Sequence, residues 1–329
     1  MIKIILVHLF LINAIIAQTQ TIKPVAVIFD TDMGPDYDDV GAIALLHSFA
    51  DSGKANILAT MASTKYEGVA AVLSVLNTYF KKPGIPIGVP KNEAITLKDR
   101  QHWSDTLIKK YPHSIKYNSE VPDAVELYRK ILGRQPDKSV TIITTGFLTN
   151  LANLLRSQPD KYSLLTGKEL VTKKVKTLIS MAGGFPAFKE FNIHMDAAAS
   201  KYVFENWNTP VIFSGFEIGK KIKTGLPLVN NNAIRNSPVK DVYRISIPMD
   251  VQDSAGRMSW DQTAVLIAIA GYQPFYKLQP GKIEIAKDGS NTWHNNIGNH
   301  FYLVENKPAS EVQEVINRMM MHQPKYLKK

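Results

Sequence analysis

The chain has no cysteine among its 329 residues. Disulfides, a thiolate nucleophile and thiolate metal ligands are therefore all excluded, and any bound metal must be held by oxygen or imidazole. Apolar runs long enough to span a bilayer are also missing, since a span needs about 20 residues. The longest run, Ile4 to Ile16, is interrupted by His8 and Asn13. Preceded by Lys3 and followed by Ala17-Gln18, it reads as a secretory signal peptide cleaved after Ala17, with an uncleaved anchor as the alternative. The expected location is therefore outside the cytoplasm, periplasmic or secreted, and the mature form needs no membrane. Basic blocks are lacking too: the formal charge is +10, but Lys and Arg are scattered or in short pairs such as Lys81-Lys82 and Lys220-Lys221. That spread favours solubility over nucleic-acid binding. No internal repeat, low-complexity linker or charge block marks a boundary, so residues 22–329 read as a single domain.

With 45% hydrophobic residues the chain can bury a large core. Short branched apolar runs alternate with amphipathic stretches, the pattern of strands alternating with helices in a mostly parallel sheet. Strands are expected at Val25–Phe29, Ile57–Ala62, Pro86–Val89, Val140–Thr144, Thr177–Met181 and Val211–Phe213. Helices are expected at Val40–Phe49, Gly68–Phe80, Ala124–Leu132, Thr149–Arg156 and Ala197–Asn206. The implied fold is α/β, with a mostly parallel central sheet covered by helices on both faces. Beyond Gly215 the alternation weakens, and a C-terminal α+β elaboration is expected from helices at Asp261–Ala270 and Ala309–His322 and strands at Lys282–Ala286 and His300–Val304.

Ligands of open parallel sheets collect at the carboxyl ends of strands. The first strand ends in Asp30-Thr31-Asp32-Met33-Gly34-Pro35-Asp36-Tyr37-Asp38-Asp39, which places five carboxylates in ten residues. One of Asp38 and Asp39 is expected to cap the following helix. Five exceed what capping requires, and such crowding is costly unless a cation sits among them. Ca²⁺, which takes 6–8 oxygen ligands in flexible geometry, suits this donor chemistry better than Mg²⁺.

The segment Asp30 to Asp39 resembles the signature of the inosine-uridine-preferring nucleoside hydrolase family, and three later segments match it in order. They are Thr144-Thr145-Gly146-Phe147-Leu148-Thr149-Asn150; Met181-Ala182-Gly183-Gly184 with Glu190-Phe191-Asn192; and Trp260-Asp261-Gln262-Thr263-Ala264. Singly each has a bland reading, as a helix cap, a tight turn or a first-turn acid. The resemblance implies a Rossmann-related nucleoside-hydrolase fold, cleavage of a ribosyl C–N bond through an oxocarbenium-like transition state, and bound Ca²⁺. It further implies that Asp32, Asp39, Asp261 and the Thr145 carbonyl ligate the metal, with Asp32 also the general base. Asp38, Met181, Glu190 and Asn192 would contact the ribose, Asn192 also favouring the charged transition state. The implied partner is a small nucleoside, and family members are often oligomeric.

Two departures stand out. Trp260 occupies the position where the best-known members place an acidic His, so it is either a base platform or a large buried side chain. Ser63-Thr64-Lys65-Tyr66 replaces a Gly-Asn that reaches the ribose, and Lys65 is either solvent-facing or suited to an anionic riboside. His102, Trp103, His194, Trp293 and His294 are further candidates near a base, each more simply structural. Two other functions stay open: a haloacid-dehalogenase-like phosphatase with Asp30 as nucleophile, and a Ca²⁺-dependent riboside-binding protein without turnover.

Overall fold

The computed structural model describes residues 23–295 and 297–324; the expected leader, Met1–Ala17, lies outside them. The strands are β1 Val25–Thr31, β2 Ala55–Ala62, β3 Ile87–Gly88, β4 Val140–Thr144, β5 Val175–Met181, β6 Ala187–Phe188 and β7 Val211–Ser214. They continue with β8 Lys223–Thr224, β9 Arg257–Met258, β10 Tyr276–Ile285, β11 Asn291–Asn295 and β12 His300–Glu305. The early helices are α1 Asp38–Asp51, α2 Val69–Tyr79, α3 Trp103–Lys110, α4 Ala124–Arg134, α5 Thr149–Arg156 and α6 Gly167–Lys174. Then follow α7 Phe191–Met195, α8 Ala197–Asn206, α9 Phe216–Gly219, α10 Leu226–Asn230, α11 Pro238–Ser246, α12 Trp260–Ala270 and α13 Ala309–Met320.

Ten strands form one sheet in the order β3-β2-β1-β4-β5-β7-β12-β10-β11-β6. It is parallel from β3 to β12 and antiparallel from β12 to β6. The expected C-terminal elaboration is thus no appendage: β12 adds in parallel to β7, and β10 and β11 extend the same sheet. Because successive side chains of a strand point to opposite faces, a sheet covered on both sides buries every position. In β1, Val27 and Phe29 enter the core beneath α1, α2 and α12, while Ile28 enters the core beneath α4, α5 and α8.

The βα alternation appears as expected, with boundaries shifted by one or two residues at most elements. Six helices were not anticipated, α3, α6, α7, α9, α10 and α11. Of these, α6 carries a full capping box between Thr166 and Glu169 and α11 starts with Ser237 as cap and Pro238 in its first turn, both readable signals. Strand β10 begins at Tyr276, well before the expected Lys282. The sheet's order reverses beside β1, with β2 and β3 on one side and β4 and β5 on the other, which opens a crevice at the carboxyl end of β1.

Candidate active site

A cleft opens at that crevice. It is lined by Asp32, Asp36, Asp38 and Asp39 from the loop after β1, Thr145 after β4, Met181 at the end of β5, Glu190 and Asn192 around α7, and Trp260 and Asp261 at the start of α12. Every residue expected to bind metal or substrate therefore meets in one place. Phe191 and Phe216 also line it.

The approach of the β1 and β4 loops depends on Gly146. A Cβ there would sit 2.4 Å from the Asp32 backbone nitrogen and 2.6 Å from the Asp32 Cβ, so only glycine fits. The Thr145 amide donates to the Asp30 carbonyl at 2.9 Å, and its hydroxyl donates to Asp39 Oδ1 at 3.1 Å. Thr31 also donates its hydroxyl to Asp39 Oδ1. Asp39 Oδ2 is buried and has no hydrogen-bond partner.

Asp30 points away from the cleft. Its carboxylate accepts from the Tyr128 hydroxyl at 2.8 Å and the Asn150 amide at 3.2 Å, and Asn150 also donates to the Ala62 carbonyl at 2.8 Å. Asn150 thus ties the ends of β1 and β2 together rather than capping α5. Burial pushes the Asp30 carboxyl up to about 7, against the pull of those two donors.

Neither Asp38 nor Asp39 caps α1, correcting the expectation of a carboxylate cap; Tyr37 holds the N-cap position and makes no side-chain capping bond. Asp38 instead serves another helix. Its Oδ2 accepts from the backbone amides of Trp260 at 3.1 Å and Asp261 at 3.3 Å, the uncapped first turn of α12. Its Oδ1 accepts from Arg257 Nε at 3.2 Å and Nη2 at 3.0 Å. Arg257, nearly buried, also pairs with Asp36 at 2.6 Å and Asp253 at 3.6 Å, and Asp253 accepts from the Tyr37 hydroxyl at 2.6 Å. Both oxygens of Asp38 are therefore engaged within the protein before any sugar hydroxyl arrives.

Glu190 caps α7, accepting from the amides of Asn192 at 2.8 Å, Ile193 at 3.2 Å and Gly183 at 3.1 Å. Burial nonetheless raises its carboxyl to about 7. The Asn192 amide donates to the carbonyls of Thr145 at 3.1 Å and Met181 at 3.2 Å. Trp260 is half-buried, donates its indole N–H to the Phe216 carbonyl at 2.8 Å, and stacks on the Phe216 ring at 5.2 Å. Phe188 stacks on Phe216 in turn at 4.7 Å, and Arg257 lies 5.1 Å from the Trp260 ring. Trp260 is thus part of an aromatic column beside the cleft rather than an isolated platform or a core side chain.

Burial is the first cause raising the carboxyls of Asp32, Asp39 and Asp261, and the neighbouring aspartates add to it; Asp39 reaches about 8. Like charges held this close in a dry site call for a cation. The donors are all oxygen, which suits a hard divalent ion. No three Asp, Glu or His side chains among the described residues already form a closed cage, so the fit rests on the donor chemistry and on the orphaned Asp39 oxygen.

The remaining sequence candidates fall elsewhere. Lys65 donates to the Asn92 carbonyl at 2.9 Å; His102 pairs with Asp105 and His294 with Glu284; His194 contacts the Asp288 carbonyl. Trp103 and Trp293 are buried in the two cores. None lines the cleft. Sequence reasoning missed Arg257 and Phe216. Arg257 stands in β9, four residues before Asp261, and Phe216 just beyond the end of β7, a place where ligand contacts are expected.

Known proteins resemble this chain along most of its length. The profile of the inosine-uridine preferring nucleoside hydrolase family matches residues 27–321. A pyrimidine-specific ribonucleoside hydrolase RihA from Salmonella dublin is 31% identical over 204 residues, an alignment covering 58% of this chain and 60% of the relative. A plant nucleoside hydrolase structure superposes with a TM-score of 0.69 at 21% identity, covering 91% of this chain and 99% of that one. A purine-preferring ribonucleoside hydrolase from Gardnerella vaginalis superposes with a TM-score of 0.67 at 16% identity, covering 90% and 98%. At such identities the superpositions establish the shared fold.

Proposed function

The chain belongs to the inosine-uridine preferring nucleoside hydrolase family, and from that premise we propose that it hydrolyses the N-glycosidic bond of a ribonucleoside, releasing ribose and a free base, with Ca²⁺ as its cofactor. The observation that carries this reading is the meeting of Asp32, Asp39, Asp261 and Thr145 in one cleft at the carboxyl end of β1, with one buried Asp39 oxygen left without a partner.

In this reading Asp32, Asp39, Asp261 and the Thr145 carbonyl hold the ion. When bound, it supplies a water of lowered pKa and a grip on the sugar hydroxyls. Asp32 takes the proton of the attacking water as the C1′–N bond breaks. Asp39 is fixed for its task by the hydroxyls of Thr31 and Thr145. Asp38 holds Asp261 and Trp260 in place through the amides at the start of α12. Met181, Glu190 and Asn192 form the sugar-facing wall, and Asn192 favours the developing positive charge. Trp260, Phe216 and Phe191 supply the apolar surface for the base.

The phosphatase alternative fails on geometry. A nucleophilic Asp30 would have to face the cleft, whereas its carboxylate is bonded to Tyr128 and Asn150 away from it. Asp32→Asn removes the base and weakens the metal set, so ribose release should fall at least ~100-fold while circular dichroism stays native. Ribose release at the wild-type rate would reject the assignment. Export belongs to the same proposal, and mass spectrometry of the secreted or periplasmic chain should find an N-terminus at Gln18.

A further inference from the structure

Six carboxylates line the cleft and, among the described residues, no Lys, Arg or His does. No lining N–H or hydroxyl donor is free to give a proton to a departing base either. Glu190 is occupied as an acceptor of three backbone amides. The indole N–H of Trp260 is committed to the Phe216 carbonyl, and the Asn192 amide to Thr145 and Met181. Asp38 is ion-paired with Arg257. What the cleft offers at its open side is Asp36, whose side chain is 45% exposed and is held at 2.6 Å by Arg257. The stacked rings of Trp260 and Phe216 line the same cleft. The Arg257 guanidinium behind this wall is surrounded by Asp36, Asp38 and Asp253, so one positive charge faces three negative ones.

Carboxylates beside aromatic rings, with no acid at hand, make a poor site for a neutral base that must be protonated to leave. They make a good one for a base that is already a cation. We infer that Asp36 is a specificity-determining residue and that the cleft selects ribosides whose base carries a fixed positive charge at a quaternised ring nitrogen, an inference that rests on the nucleoside-hydrolase reading above. The balance of the reaction fits. As the C1′–N bond breaks, its electron pair passes to the ring nitrogen and cancels the positive charge. The base departs neutral with no added proton. Water contributes the oxygen of the new C1′ hydroxyl, and its lost proton passes to Asp32 and then to solvent.

The test measures ribose release from a matched pair, 7-methylguanosine and guanosine, with N-ribosylnicotinamide as a second cation, after subtraction of the enzyme-free rate. The cation should exceed its neutral partner in kcat/KM by roughly 100-fold, the range an absent general acid would otherwise supply. Intrinsic lability of the cation could produce part of that ratio, so the deciding variant is Asp36→Asn. It should lower the cation-to-neutral ratio about tenfold, as the loss of one nearby charge predicts. The inference is overturned if guanosine is cleaved as well as its methylated form, or if Asp36→Asn lowers both substrates equally, which would give Asp36 only a structural role through Arg257. Ribose from guanosine but no preference for the cation would leave the hydrolase reading standing alone. No ribose from any substrate would remove both.

Discussion

Gly146→Ala puts one methyl group where two functional loops touch. The new Cβ would lie 2.4 Å from the Asp32 amide nitrogen, 2.6 Å from the Asp32 Cβ and 2.6 Å from Ser63 Oγ. Two of those atoms are fixed by the chain path of the β1 loop and cannot rotate away. Ordinary van der Waals contact begins near 3.4 Å, so Asp32 and the Thr145–Gly146 segment must separate by about 1 Å. Overpacking of this kind costs about 1–3 kcal/mol of stability. The effect on activity is larger, because a misplacement of about 1 Å in a catalytic constellation reduces rate by roughly 100-fold. Asp32 and the Thr145 carbonyl stand on opposite sides of the clash, so Ca²⁺ affinity should fall along with kcat/KM. The assay pairs calorimetric Ca²⁺ titration with ribose-release kinetics. Gly84→Ala is the control, since a Cβ at Gly84 meets nothing within 4 Å and needs no positive φ. If Gly146→Ala and Gly84→Ala bind Ca²⁺ and turn over alike, the close approach of the two loops does not build the site.

Two further outcomes follow from buried charge. Burial holds His47 down to about 3, with its Nε2 donating to Asn77 Oδ1 at 3.1 Å. The unfolded chain takes up that proton near pH 6.5 and the folded chain does not, so stability from His47 is complete above 6.5 and is lost as pH falls toward 3. At pH 5 that loss amounts to about 2 kcal/mol; His47→Gln should shrink the stability difference between pH 7 and pH 5 by this amount in urea titrations, and an unchanged difference would contradict the burial argument. Arg257→Met leaves Asp36, Asp38 and Asp253 without their common partner and should cost about 3–5 kcal/mol. Arg257→Lys should recover only part of it, because an ammonium cannot fork between carboxylates; full recovery, measured by urea titration, would mean that charge alone matters.

What could be read from the sequence was whatever is local. The parallel strands are continuous apolar runs because both faces of the sheet are covered, and their boundaries came out close to the structure. The acidic loop after β1 was legible for the opposite reason: five carboxylates at the end of a buried strand exceed what any local structural role requires. Strand β11 was not legible, because only Asn291 and Trp293 of its five residues turn inward, and Asn291 is buried through its bonds to the backbone of Gly184 rather than through apolar character. The role of Asp38 was hidden for a different reason. Its partners Arg257, Trp260 and Asp261 lie more than 200 residues away, and no pattern within a segment reports a helix capped by the first residue of another helix. The same distance concealed the column of Phe188, Phe216, Trp260 and Arg257, whose members come from three separate stretches of chain.

The central claim is that Asp32, Asp39, Asp261 and the Thr145 carbonyl hold a Ca²⁺ ion on which cleavage depends. Its most direct test is ribose release from a panel of ribonucleosides by one protein preparation, measured as purified, after exhaustive chelation, and after Ca²⁺ is returned. The account predicts release that disappears on chelation and comes back with Ca²⁺ in the wild type but not in Asp32→Asn. Release that persists undiminished in the chelated protein would contradict it.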